Sequence, residues 1–216
     1  MILGWLIERT IKSSMHKPEV ADKKKNLIVN FDGLCEPINP AGIACYGFIV
    51  KDDWGKTLHR DCGLIIDVPP FSNAVNNNVA EYGAAIKAME WLAENGYGNS
   101  DGKNEKNRYI EITMRGDSQL IIRKLRSTSY SKRAAKLTSM YNRAIAMRSK
   151  FADVNIRFEW VKRDYNKEAD DLAKRAYYQT LRRYPILKRK VRAHWVAMLW
   201  LEEKMHHDSD SDEKGN

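Results

Sequence analysis

At 216 residues with a formal net charge of +9, the chain has room for one substantial domain with extensions, and its lysines and arginines point to an anionic partner such as nucleic acid. Three cysteines, an odd number without a CxxC pair, signal neither a disulfide framework nor a zinc ribbon and read as the reduced thiols of a cytoplasmic protein. The apolar opening MILGWLI breaks at Glu8 and Arg9, far short of the roughly 20 residues that span a bilayer, and it lacks the flanks of a signal peptide; no membrane partner is expected.

Residues 1–25 read as an N-terminal extension that ends in Lys23, Lys24 and Lys25. In NLIVNFDG, Leu27, Val29 and Phe31 alternate with Ile28, Asn30 and Asp32, the period of a strand with two distinct faces. Asp32 stands where the apolar run stops and Gly33 follows it, so a carboxylate is expected at a strand end where backbone can approach a ligand. Asp-Gly is equally an ordinary turn signal. The runs from Ile43 to Lys51 and from Lys56 to Ile65, joined at Asp52, Asp53, Trp54 and Gly55, complete an antiparallel meander.

Pro69 and Pro70 break the pattern. A loop with Asn73, Asn76, Asn77 and Asn78 leads to a helix expected from about Val79 to Glu94, with Tyr82, Ala85, Ile86, Met89 and Leu92 as its apolar stripe and Asn95-Gly96 as its stop. Glu81 falls in the first turn of that helix, where the dipole favours a carboxylate for structural reasons alone. RYIEITM, from Arg108 to Met114, reads as a strand that delivers Asp117, which could also cap the short helix LIIRKL. A second helical stripe over Ser131 to Phe151, a strand over Val154 to Val161 and a last helix opening at Asn166 complete the order. In the last helix Ala169, Leu172, Ala173 and Ala176 form the buried stripe; at about 100° per residue Asp170 lies beside it and Asp171 points away. The sum is an α/β fold with a five-stranded mixed sheet flanked by helices.

Four acids, Asp32, Glu81, Asp117 and Asp170, thereby become candidates for one site, because parallel first and fourth strands bring their C-terminal ends together. Clustered carboxylates without a basic partner repel one another, and cations relieve that repulsion. All-oxygen donors select hard ions, Mg²⁺ or Mn²⁺. Two such ions about 4 Å apart can activate a water and stabilise the leaving oxygen of a phosphoryl displacement.

The motifs DGLCEPINPAG, NNNVAEYGAAIKAME, GDSQLIIRKL and WVKRDYNKEADDLAKRA, in this order over residues 26–180, resemble the type 1 ribonuclease H enzymes, and among them the archaeal branch. The resemblance implies a ribonuclease H-like catalytic domain over 26–180. It also implies that Asp32, Glu81, Asp117 and Asp170 are the catalytic acids and metal ligands. They would hold two Mg²⁺ ions, with Mn²⁺ as a substitute, to hydrolyse the RNA strand of an RNA/DNA hybrid to 5'-phosphate products. It assigns hybrid reading in the minor groove to Gly33, Asn77, Asn78 and Gln119, a reading suited to the 2'-hydroxyls that an A-like duplex displays there. Asn39 and Asn76 match positions near a DNA-strand phosphate, Asn76 standing where threonine is common.

The loop from Lys162 to Tyr165 lacks the histidine of the family's bacterial members, and Arg163 is the candidate accessory residue in its place. The basic protrusion of those members is shortened, leaving Lys124, Arg126, Lys132, Arg133 and Lys136 as phosphate contacts or as a solvated helix face. Residues 181–205 form a basic, aromatic helical extension, either packed on the domain or serving as a binding arm, and 206–216 a disordered tail. The chain is expected to be a monomer. The alternative function is a ribonuclease H-fold module that binds hybrid or double-stranded RNA, or also cuts the latter, without hybrid-specific catalysis.

Overall fold

The computed structural model describes residues 25–98, 110–127, 138–152 and 154–212. Five strands, β1 (Lys25–Glu36), β2 (Ile43–Asp52), β3 (Thr57–Leu64), β4 (Ile110–Gly116) and β5 (Asn155–Trp160), form one mixed sheet in the order β3-β2-β1-β4-β5. β1 pairs antiparallel with β2 and parallel with β4, which in turn pairs parallel with β5. The helices are α1 (Asn77–Glu94), α2 (Gln119–Arg126), α3 (Thr138–Ser149), α4 (Lys167–Arg183) and α5 (Pro185–Asp212), with a 3₁₀ turn over Arg163–Tyr165.

The period-two pattern of β1 sorts its two faces. Leu27, Val29 and Phe31 join Phe48, Val50, Ile112 and Met114 in a core closed by Tyr82, Ile86 and Met89 of α1. A smaller cluster lies on the other face, where Ile43 and Cys45 pack with Ala176 and Tyr177 of α4 and Val191 of α5. Burying each large apolar side chain contributes about 1.5–3 kcal/mol. The two layers therefore clamp β1 firmly at the centre of the sheet.

Several boundaries move from their expected places. β1 does not end at Asp32: the parallel ladder to β4 stops at Asn30↔Arg115, whereas the antiparallel ladder to β2 carries β1 on to Glu36. α1 begins at Asn77, because the Asn76 side chain caps it by accepting a hydrogen bond from the Val79 N–H (3.1 Å). Glu81 consequently sits past the first turn, which holds no acid, and the helix dipole does not account for it. Ser118, not Asp117, takes the cap position of α2. Propagating a helix costs far less than starting one, and α5 runs on to Asp212, through much of the segment expected to be disordered. The N-terminal extension, Lys132, Arg133 and Lys136 lie outside the described residues.

Candidate metal centre and nucleic-acid interface

Two glycines create the site. A Cβ on Gly33 would lie 2.2 Å from the Ala80 carbonyl carbon and from the Glu81 nitrogen, so only glycine lets α1 cross β1 so closely. That crossing places Glu81 next to Asp32. On the opposite face Gly47, the β2 partner of Asp32, has no room for a Cβ either: it would meet Ala173 N at 2.5 Å and Ala169 O at 2.6 Å. α4 therefore lies directly on the sheet and brings Asp170 close enough for its charge to act on Asp32. Gly47 is not among the residues expected at the site, although a glycine inside a strand is a signal of close approach.

Asp117 arrives from the end of β4, where the chain leaves the sheet after Gly116. Its turn is pinned by the Trp160 indole, which donates to the Asp117 carbonyl (2.9 Å), and by the Val161 N–H, which donates to the Gly116 carbonyl (3.0 Å). α4 is pinned through Asn166, which is buried. The Asn166 amide donates to the Phe31 carbonyl (3.0 Å), and its side-chain oxygen accepts from the Asn30 amide (3.0 Å). The Asn166 carbonyl then accepts from the Asp170 N–H (3.1 Å). One side chain thus ties the residue before Asp32 to the start of the helix that carries Asp170.

One carboxylate oxygen from each of Asp32, Glu81 and Asp117 lies within 4.8 Å of the others. Asp32 and Glu81 are buried, and Glu81 Oε2 has no hydrogen-bond partner. Burial, then the charges of Asp117 and Asp170, pushes Asp32 up to about 8. Burial, then the charges of Asp32 and Asp117, holds Glu81 well above the usual carboxylate range. An orphaned, buried carboxylate oxygen is costly. Three carboxylate oxygens this close suit a hard divalent cation, which would satisfy the Glu81 orphan and cancel the repulsion.

The fourth acid departs from expectation. Asp170 is buried nearby and its charge acts on Asp32, but Arg163 Nη2 occupies its Oδ1 (3.0 Å) and Lys174 Nζ its Oδ2 (2.5 Å). The acids are therefore not without basic partners: three gather and the fourth is held at the rim by two cations. Arg163 does reach the site, as the loop position suggested, while Lys174, four residues after Asp170, was missed even though opposite charges at that spacing meet on a helix. Asp171 faces solvent.

The remaining candidates lie on the β1–β2 loop, at the start of α1 and along α2. Asn39 Oδ1 accepts from the Asn77 N–H (3.0 Å), joining the β1–β2 loop to the N-terminus of α1 beside Asn76 and Asn78. Gln119 is exposed as the first residue of α2. Lys124 and Arg126 lie on α2, but Arg126 is committed to the Phe158 carbonyl (2.7 Å).

Residues 30–176 match the protein family described as reverse transcriptase-like. Among solved structures, the chain is similar to LC11-RNase H1, isolated from compost by a metagenomic approach, at 28% identity and a TM-score of 0.57, covering 72% of this chain and 98% of that one. LC11-RNase H1 in complex with an RNA/DNA hybrid matches at the same identity and TM-score, covering 72% of this chain and 99% of that one. The fold is shared with RNase H1 from the halophilic archaeon Halobacterium salinarum NRC-1, at 24% identity and a TM-score of 0.55, covering 71% of this chain and 98% of that one.

Proposed function

Since the chain belongs to the reverse transcriptase-like family and is a type 1 ribonuclease H, we propose that it hydrolyses the RNA strand of RNA/DNA hybrids to 5'-phosphate products. Two divalent cations, Mg²⁺ with Mn²⁺ as a substitute, would be held by Asp32, Glu81, Asp117 and Asp170. The observation that carries this reading is the carboxylate triad within 4.8 Å with its orphaned Glu81 oxygen. A protein that only binds a polyanion gains nothing from concentrated negative charge. When bound, such cations activate the attacking water and stabilise the leaving oxygen.

The chain's own groups orient the rest. Asp32 and Glu81 supply buried oxygens fixed by a strand and a helix in contact, so little reorganisation is needed at the moment of reaction. Arg163 and Lys174 hold Asp170 in place and set positive charge at the rim, where a backbone phosphate would approach. The backbone of Gly33 with Asn77, Asn78 and Gln119 reads the minor groove. Asn39 and Asn76 spend their side-chain oxygens on the first N–H groups of α1, keeping amide N–H₂ donors for a DNA-strand phosphate beside a helix N-terminus. Three free cysteines among the described residues accord with a reducing, cytoplasmic setting.

Titration calorimetry with Mg²⁺ and Mn²⁺ in the absence of substrate tests the centre. The parent protein should take up the ions and release protons, and Asp32→Asn should abolish tight uptake. A module without a catalytic centre would show no carboxylate-dependent ion binding. Ligation of the cleaved RNA tests the product ends, since only a 5'-phosphate is joined.

A further inference from the structure

Most of the excess charge of the chain sits in one stretch. From Leu172 to Leu201 there are eight lysines and arginines and no acid, +8 in a chain whose net charge is +9. The stretch starts at the metal centre, where Lys174 binds Asp170. It follows α4 outwards, about 13.5 Å from Lys174 to Arg183, and crosses into α5, beyond the domain expected over 26–180. In the first turns of α5, Leu187 and Val191 pack with Ile43, Cys45 and Tyr177, while Lys188, Arg189, Lys190 and Arg192 are exposed. At about 100° per residue these four cations fall on the side of the helix that Leu187 and Val191 leave free. Among the described residues none of the four makes an ion pair with an acid. Four like charges within about 6 Å of helix lie inside the Debye length of about 8 Å at physiological salt. They repel one another, and a polyanion relieves that repulsion.

The place where α5 docks says which polyanion. Lys190 Nζ lies 5.5 Å from the centre of the Phe71 ring, and the Phe71 N–H donates to the Gly42 carbonyl (2.8 Å). Three residues before Gly42 is Asn39, whose side chain holds the first N–H of α1 at the contact proposed for a DNA-strand phosphate. Three residues span at most about 11 Å, which is about three phosphate steps along one strand. A duplex seated at Asn39 and Asn76 therefore carries its next phosphates level with the basic turns of α5.

We propose that the first turns of α5 are a second phosphate-binding surface for the hybrid, in which Lys188, Arg189, Lys190 and Arg192 meet backbone phosphates beyond the Asn39–Asn76 contact. This rests on the reading of the chain as an enzyme that acts on RNA/DNA hybrids. Contacts to phosphate alone add affinity and carry no sequence preference.

Fluorescence anisotropy of the full chain with a long labelled hybrid, in EDTA and over a salt series, tests this. Each phosphate contact contributes about 0.9 to the slope of log K against log salt concentration. Replacing all four cations by glutamine, a good helix former, should flatten that slope by about 2–4 and weaken binding at low salt by roughly 10- to 100-fold. Lys56→Gln with Lys150→Gln removes two exposed cations, one in the β2–β3 turn and one after α3, and should keep the parental slope. Circular dichroism of each variant verifies that helix content is kept. A slope that changes by less than one contact's share of about 0.9, or by no more per charge than in the control, would overturn the proposal. So would unchanged hybrid binding accompanied by lost binding to vesicles of anionic lipid, which would give this surface to a membrane. The slopes are read without metal, so a chain that binds hybrid but never cuts it would refute the proposed function and not the role of α5.

Discussion

Replacing Gly33 by alanine tests how the centre is built. The added Cβ would sit 2.2 Å from two backbone atoms of α1, whereas ordinary contact begins at 3.4 Å, so helix and strand must separate by about 1 Å. No side-chain rotation relieves the clash, because both opposing atoms are backbone and α1 is locked by Tyr82, Ile86 and Met89. Overpacking of this kind costs about 1–3 kcal/mol. Glu81 rides on the displaced peptide, and a misplacement near 1 Å lowers turnover by roughly 10²-fold. Steady-state cleavage of labelled hybrid, with thermal melting of the same preparation, separates the two effects. Gly83→Ala is the control: the nearest atoms to its Cβ are side-chain atoms of the buried Ile65 at 2.4 and 3.0 Å rather than backbone, so it should lose stability but keep near-parental turnover. A Gly33→Ala enzyme that turns over as fast as the parent would refute the claim that this crossing sets the position of Glu81.

Two further outcomes follow from the electrostatics and the pinning contacts. In EDTA, Asp32 is raised to about 8. Its stabilising contribution is therefore full below the unfolded carboxylate pKa of about 4 and is lost as pH rises towards 8. The melting temperature should fall between pH 5 and pH 8, and Mg²⁺ or Asp32→Asn should flatten that slope; a melting temperature that rises across this interval without metal contradicts the assignment. Asn166→Ala removes both bonds to β1 and strands the buried Phe31 carbonyl, costing about 1–3 kcal/mol. Because Asp170 then shifts relative to Asp32, kcat should drop with KM little changed, and equal turnover in the variant would deny Asn166 its positioning role.

Much of this was legible in the chain because the relevant signals are local. The alternation around Phe31 and the helical stripe through Ala169 and Leu172 predicted the faces of β1 and α4, and the same wheel separated buried Asp170 from exposed Asp171. What stayed hidden depends on partners distant in sequence. Asp32 lies inside β1 because β2 outlasts β4 as a partner, and no local pattern at Asp32 encodes that difference. Similarly, the Trp160 contact to the turn of Asp117 joins residues 43 apart. The Arg163 bond to Asp170 needed the 3₁₀ turn that swings Arg163 back over α4, whereas the Lys174 bond was a local signal, four residues along the same helix.

The most direct measurement is cleavage of end-labelled RNA/DNA hybrid, double-stranded RNA, single-stranded RNA and double-stranded DNA in Mg²⁺, Mn²⁺ or EDTA, with Asp117→Asn in parallel. The RNA strand of the hybrid should be cut in either metal, with no cutting in EDTA and none by the variant. Hybrid binding without cutting in either metal, or cutting that survives EDTA or the loss of Asp117, would contradict that expectation.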